Sequence, residues 1–119
     1  MKTVLIVDDQ IGIRLLLNEV FKKEGFHTLM AANGKEAIQK AMETQPNLVL
    51  LDMRMPGMDG IEILKSLKEL QKEIHVIMMT AYGELDLIEE SIDSGAARYF
   101  TKPFDVFEIR DAVKQLLRD

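Results

Sequence analysis

The amino-acid sequence predicts one α/β domain, a (βα)5 doubly wound sheet of five parallel strands. Three observations point there. Short runs rich in leucine and β-branched residues alternate five times with segments of helical period. Three of the five runs are apolar throughout, as strands are when helices cover both faces of a parallel sheet. The connections are short, which suits right-handed crossovers between successive parallel strands.

The strand candidates are Val4 to Val7, Thr28 to Ala31, Leu48 to Leu51, Val76 to Met79 and Arg98 to Thr101. In the first helix Ile13, Leu16, Leu17, Val20 and Phe21 have the spacing of one buried face, and Gly25 follows as a stop. The second begins after Asn33-Gly34 and carries Ala37, Ile38, Ala41 and Met42. Asp59 with Glu62 opens the third as a capping-box pattern, and Asp105 with Glu108 opens the fifth. The fourth carries Leu85, Ile88 and Ile92 before Gly95; the fifth repeats the buried spacing with Ile109, Ala112, Val113, Leu116 and Leu117. The methionines at 30, 42, 78 and 79 read as core filling.

A chain of 119 residues is of ordinary single-domain size, so residues 1–119 are expected to form one domain with no room for an output domain. Hydrophobic content of 47% and charged content of 29% are those of a soluble globular protein. A net charge of -5 argues against direct binding to nucleic acid or an anionic membrane. No run has the length of a membrane span, and Val4 to Val7 ends on two aspartates, unlike a signal peptide. With no cysteine the chain can form neither a disulfide nor a thiolate metal site, and the expected location is the cytoplasm.

Ligands of doubly wound sheets bind beyond the carboxyl ends of the strands. Four predicted strands lead into a distinctive polar group there: Asp8 and Asp9 after the first, Asp52 after the third, Thr80 after the fourth, Lys102 after the fifth. Each alone has an ordinary explanation as a turn or surface residue. Together they do not. Carboxylates crowded at one sheet edge repel by about 4 kcal/mol per pair at 4 Å and an effective dielectric near 20. A hard divalent cation answers that repulsion and leaves room for a phosphate oxygen. A carboxylate can also accept a phosphoryl group, a reaction that asks the protein chiefly for positioning and charge stabilisation. Asp52 is thus the expected nucleophile. Asp9 and Asp52 would bind the ion directly, Asp8 through its water, and the Arg54 carbonyl would complete the protein ligands. Thr80 and Lys102 would contact phosphoryl oxygens.

The strings VLIVDDQ, LVLLDMRMPGMDG, VIMMTA and YFTKPF run through nearly the whole chain. In order and spacing they closely resemble bacterial response-regulator receiver domains. The resemblance implies a flavodoxin-like sheet of order 2-1-3-4-5, Mg2+ (or Mn2+) as cofactor, phosphorylation at Asp52 and a cis Lys102-Pro103 bond. It also implies a switch in which Thr80 moves toward the phosphate, coupled to an aromatic residue at Tyr99; the alternative is a packed strand side chain with a wet hydroxyl. Longer strings, DDQIGIRLLLNEVFKKEGF, TAYGELDLIEES and KPFDVFEIRDAVKQLL, look like stand-alone receivers of Bacillus-type sporulation phosphorelays. Ile11 departs from that subgroup, where a tyrosine is expected, as does Tyr99, where a histidine is expected.

The implied partners are a sensor histidine kinase, a histidine phosphotransferase with a four-helix docking surface, and an aspartyl-phosphate phosphatase. Ile11 and Leu15 lie outside the core stripe of the first helix. With Gln10, Gly12, Ile13 and Leu16 they suggest a docking patch, which Tyr82, Pro103 and Phe104 extend. Arg54 and Tyr82, each two residues after a site residue, are expected to obstruct water and lengthen the phosphate's lifetime. Competing expectations are a chemotaxis-type single-domain regulator and a non-phosphorylated interaction module. A flavodoxin-like electron carrier is disfavoured by the absence of a Gly, Ser and Thr-rich loop after Val7, and a DxDxT-type phosphatase by the separation of the acidic residues.

Overall fold

The computed structural model describes residues 2–55, 58–81 and 85–118, with Met58 described for its backbone only. In chain order the elements are β1 Thr3–Val7, α1 Ile11–Lys23, β2 His27–Ala31, α2 Gly34–Thr44, β3 Leu48–Asp52, β4 Arg54–Met55, β5 Met58–Asp59, α3 Gly60–Leu70, β6 His75–Ala81, α4 Leu85–Asp93, β7 Arg98–Lys102 and α5 Val106–Leu116. The main sheet is parallel, in the order β2-β1-β3-β6-β7. Because β4 and β5 form a separate antiparallel ladder, this is the expected 2-1-3-4-5 order of the five long strands.

Strand periodicity divides the core in two. Leu5, Val7, Val49, Leu51, Val76 and Met78 face Ala37, Ala41, Ile63, Leu64 and Leu67 of α2 and α3. Val4, Ile6, Leu48, Leu50, Ile77 and Met79 face Leu17, Phe21, Ile109, Ala112 and Val113 of α1 and α5. Apolar runs without polar alternation are therefore required in β1, β3 and most of β6: both faces are dry. Among the described residues, no helix is long and apolar enough to cross a membrane.

Several expected details differ. Leu16 is 49% exposed although its spacing suggested burial; Leu17, 0% exposed, takes the sheet-facing place. Met42 is 61% exposed, so it is no core filler, and Leu85 and Ile92 are exposed while Ile88 alone of that trio is buried. On α4, burial of Ile88 is joined by Ser91, whose hydroxyl donates to the Ile88 carbonyl at 2.8 Å. The reciprocal capping pair occurs at α2. The Glu36 N–H donates to Asn33 Oδ1 at 2.9 Å, and Glu36 Oε1 accepts from the Ala32 N–H at 3.0 Å. Asp59 and Asp105 do cap their helices, but through the N–H groups of Ile61 and Phe107, two residues on. Helices α1 and α4 stop at Gly25 and Gly95, whose φ values of +91° and +108° suit glycine. At both, paired backbone hydrogen bonds close the last turn, from Gly25 to Lys22 with Phe26 to Phe21, and from Gly95 to Ile92 with Ala96 to Ser91.

Candidate phosphoacceptor site

The parallel register explains how distant residues meet. Val7 of β1 lies level with Leu51 of β3, so Asp8 and Asp52 emerge side by side. Ala81 of β6 is level with Lys102 of β7, which brings the lysine to the same edge. Carboxylate oxygens of Asp8, Asp9 and Asp52 lie within 4.8 Å of one another. Asp8 and Asp52 are buried, whereas Asp9 is exposed.

Lys102 ties this group together. Its ammonium donates to Asp8 Oδ2 at 3.0 Å, to Asp52 Oδ2 at 3.4 Å and to Gln10 Oε1 at 3.2 Å. The backbone secures the other oxygens: the Gln10 N–H donates to Asp8 Oδ1 at 2.9 Å and the Arg54 N–H to Asp52 Oδ1 at 3.1 Å. Arg14, one turn into α1, donates from Nη1 to the Asp8 carbonyl at 2.6 Å. Gly60 has an indirect part. A Cβ there would lie 2.7 Å from Met53 Cα, so only a bare backbone lets α3 start against the residue that follows Asp52.

Three carboxylates against one ammonium leave two formal negative charges, which one divalent cation would neutralise. The hard oxygen donors of Asp8, Asp9 and Asp52 suit Mg2+. Burial, reinforced by the charge of Asp8, pushes the Asp52 carboxyl up to about 6, against the opposing influence of the Arg54 N–H and Lys102. Asp52 can thus exist ionised near neutrality, but in a setting that presses for neutralisation of its charge. A cleft of about 250 Å³ opens beside it, lined by Asp9, Gln10, Asp52, Arg54, Ala81 and Lys102.

Asp8, Asp9, Asp52, Arg54 and Lys102 are therefore together, as the sequence reading expected. Thr80 differs. It is 1% exposed and does not line the cleft, and its hydroxyl makes a long 3.5 Å contact to the Ala81 carbonyl. Ala81 lines the cleft in its place, a position overlooked because its side chain carries no reactive group. Tyr99 is 44% exposed on the edge strand β7, and Tyr82 lies outside the described residues. The Lys102-Pro103 bond is cis; Pro103 is exposed, and Phe104 packs partly buried against the core beneath α1 and α5. Of the proposed docking residues, Ile11 is 63% exposed, and Gln10, Gly12 and Leu16 are also exposed, whereas Ile13 packs partly buried against the core.

The response regulator receiver domain family matches residues 4–114. The chain is 62% identical over 114 residues to Sporulation initiation phosphotransferase F of Bacillus subtilis, covering 96% of this chain and 92% of that protein. It is 35% identical over 115 residues to Chemotaxis protein CheY of the same organism, with 96% of each covered. The solved receiver domain protein (CheY-like) of Methanospirillum hungatei superposes with a TM-score of 0.92 at 30% identity, over 97% of this chain and 92% of that one. With this match over residues 4–114, and with 62% identity to one receiver over 96% of the chain, the chain belongs to the response regulator receiver domain family.

Proposed function

We propose that this chain is a phosphorelay intermediate in sporulation initiation, receiving a phosphoryl group from a sensor kinase histidine and passing it to a histidine phosphotransferase. The observation that carries the chemistry is the paired Asp8 and Asp52 carboxylates bridged by Lys102 beside an open cleft. The 62% identity to a sporulation phosphotransferase, against 35% to a chemotaxis protein, favours relay over the chemotaxis-type alternative. A non-phosphorylated module would not need three clustered carboxylates, two of them paired with one lysine.

In the proposed transfer an ionised Asp52 oxygen attacks phosphorus as the P–N bond to the donor imidazole breaks, and the bonding pair stays on the imidazole nitrogen. Onward transfer runs in the opposite sense, with an acceptor imidazole attacking phosphorus and the Asp52 carboxylate leaving. Asp8, Asp9, Asp52 and the Arg54 carbonyl would hold Mg2+ (or Mn2+), which supplies charge neutralisation at the phosphoryl oxygens. Lys102 moves one donor from Asp52 to a phosphoryl oxygen. Thr80 is buried and does not line the cleft, so in this proposal its hydroxyl comes forward to serve the phosphoryl group. That displacement is the proposed switch, with Tyr99 as its aromatic partner. Arg54, exposed at the cleft, would hinder attacking water, and Tyr82 is assigned the same role.

Docking uses the exposed face of α1, where Ile11, Leu15 and Leu16 stand around the start of the helix with Gln10 and Gly12; Pro103 and Phe104 extend it. The partners are the kinase, a four-helix phosphotransferase and an aspartyl-phosphate phosphatase, and the setting is cytoplasmic. The chain is an enzyme in the limited sense of a Mg2+-dependent phosphotransfer intermediate. Incubation with Mg2+ and acetyl phosphate should add roughly 80 Da, the mass of one phosphoryl group, and Asp52→Ala should abolish the adduct. A wild type that stays unmodified by acetyl phosphate and by a histidine kinase would overturn the proposal.

A further inference from the structure

Gln10 occupies the N-cap of α1, a position where short oxygen-bearing side chains normally accept a helix N–H. Its side chain makes no such cap, and α1 has no acidic residue in its first turn. The amide oxygen instead accepts from Lys102 at 3.2 Å. The start of α1 thus forgoes a local stabilisation found at α2, α3 and α5, whose caps are Asn33, Asp59 and Asp105. A rule of local structure broken beside a reactive site calls for a compensating role.

We infer that Gln10 is a positioning residue for Lys102, holding its ammonium over the phosphoacceptor with a neutral oxygen. An ammonium has three N–H donors, and Lys102 has three acceptors, on Asp8, Asp52 and Gln10. When Asp52 takes a phosphoryl group, the donor facing it turns to a phosphoryl oxygen, while Asp8 and Gln10 keep the other two. Of these two anchors, Asp8 belongs to the acidic group proposed for the metal. Gln10 lies outside that group and adds no negative charge beside the incoming phosphate. Length matters as well, because an asparagine at this cap would suit the helix but has one methylene less with which to reach Lys102.

The inference rests on phosphorylation at Asp52, and the experiment separates the two. Acetyl phosphate replaces protein donors, which removes docking from the measurement. Phosphorylation rates of wild type, Gln10→Asn and Gln10→Met are followed by intact mass, with urea stability and the 15N-resolved Lys102 ammonium resonance measured on the same proteins. Both variants should be modified about three- to tenfold more slowly, in keeping with loss of an exposed hydrogen bond to a charged group. Gln10→Asn should be as stable as wild type or more so, which a purely structural role would not combine with slower chemistry. The Lys102 ammonium resonance should broaden in both through faster exchange with water. Wild-type rates in both variants, or slowing that tracks lost stability with the ammonium resonance unchanged, would overturn the inference. An unmodified wild type would instead refute phosphorylation itself, and this inference with it.

Discussion

Asp52→Asn is the most informative single perturbation, because the same carboxylate is proposed as nucleophile and is a source of instability. Its carboxyl is pushed from 3.8 to about 6, mainly by burial. A folded value above the unfolded one means that the native state binds the proton more tightly. Stability is therefore greatest at low pH in respect of this group, and is lost as pH rises through the interval from 3.8 to about 6. The difference corresponds to about 3 kcal/mol of penalty above pH 7, shrinking to about 1 kcal/mol near pH 4.5. Asparagine keeps the shape and removes the charge. It also surrenders the 3.4 Å contact with Lys102, which still retains Asp8 and Gln10. In urea titrations with EDTA present, Asp52→Asn should be more stable than wild type by about 2 to 3 kcal/mol at pH 7.5, with the advantage falling toward pH 4.5. Excess Mg2+ should raise wild-type stability more than that of the variant, since binding to the native state shifts unfolding by mass action. No advantage at neutral pH, or one that does not change with pH, would refute the assignment of Asp52 as a carboxylate destabilised by burial.

Lys102→Ala leaves two buried carboxylates without their shared cation and should cost up to about 3 kcal/mol at neutral pH, the low end of the range for breaking a buried pair because the lysine side chain is 21% exposed. Urea titration checks the loss, and Mg2+ should recover part of it. Gly60→Ala drives a Cβ to 2.7 Å from Met53 Cα and should destabilise by about 1 to 3 kcal/mol, while slowing acetyl phosphate labelling by displacing the residue next to Asp52. Leu17→Ala should cost about 2 to 5 kcal/mol because the side chain is fully buried. Its exposed neighbour, in Leu16→Ala, should stay within about 0.5 kcal/mol of wild type yet reduce transfer to a histidine phosphotransferase while leaving acetyl phosphate labelling intact.

The contrast between Leu16 and Leu17 also shows where the sequence was legible. β1 and β3 are buried on both faces, so uninterrupted apolar runs identify them and strand order follows from the family resemblance. Leu15, Leu16 and Leu17 instead present three identical side chains across more than half of a helical turn, and only packing against the sheet decides which is buried. Exposed Leu85 and Ile92 blurred α4 in the same way. The β4–β5 ladder was invisible because two-residue strands carry no periodicity.

At the site, charged residues ending strands were readable because a parallel sheet gathers all its strand ends at one edge. Their separate burial was not. Asp8 and Asp9 are neighbours of identical chemistry, yet one is fully buried and the other exposed, since successive residues leaving a strand turn in opposite directions. Thr80 and Ala81 divide in the same way, the threonine buried and the alanine after it lining the cleft. Residue type therefore reveals which groups reach the edge, and pleat decides which of them meet the cleft at rest. In the switch proposed for this site, Lys102 already bridges the carboxylates, and the buried Thr80 is the group that would move.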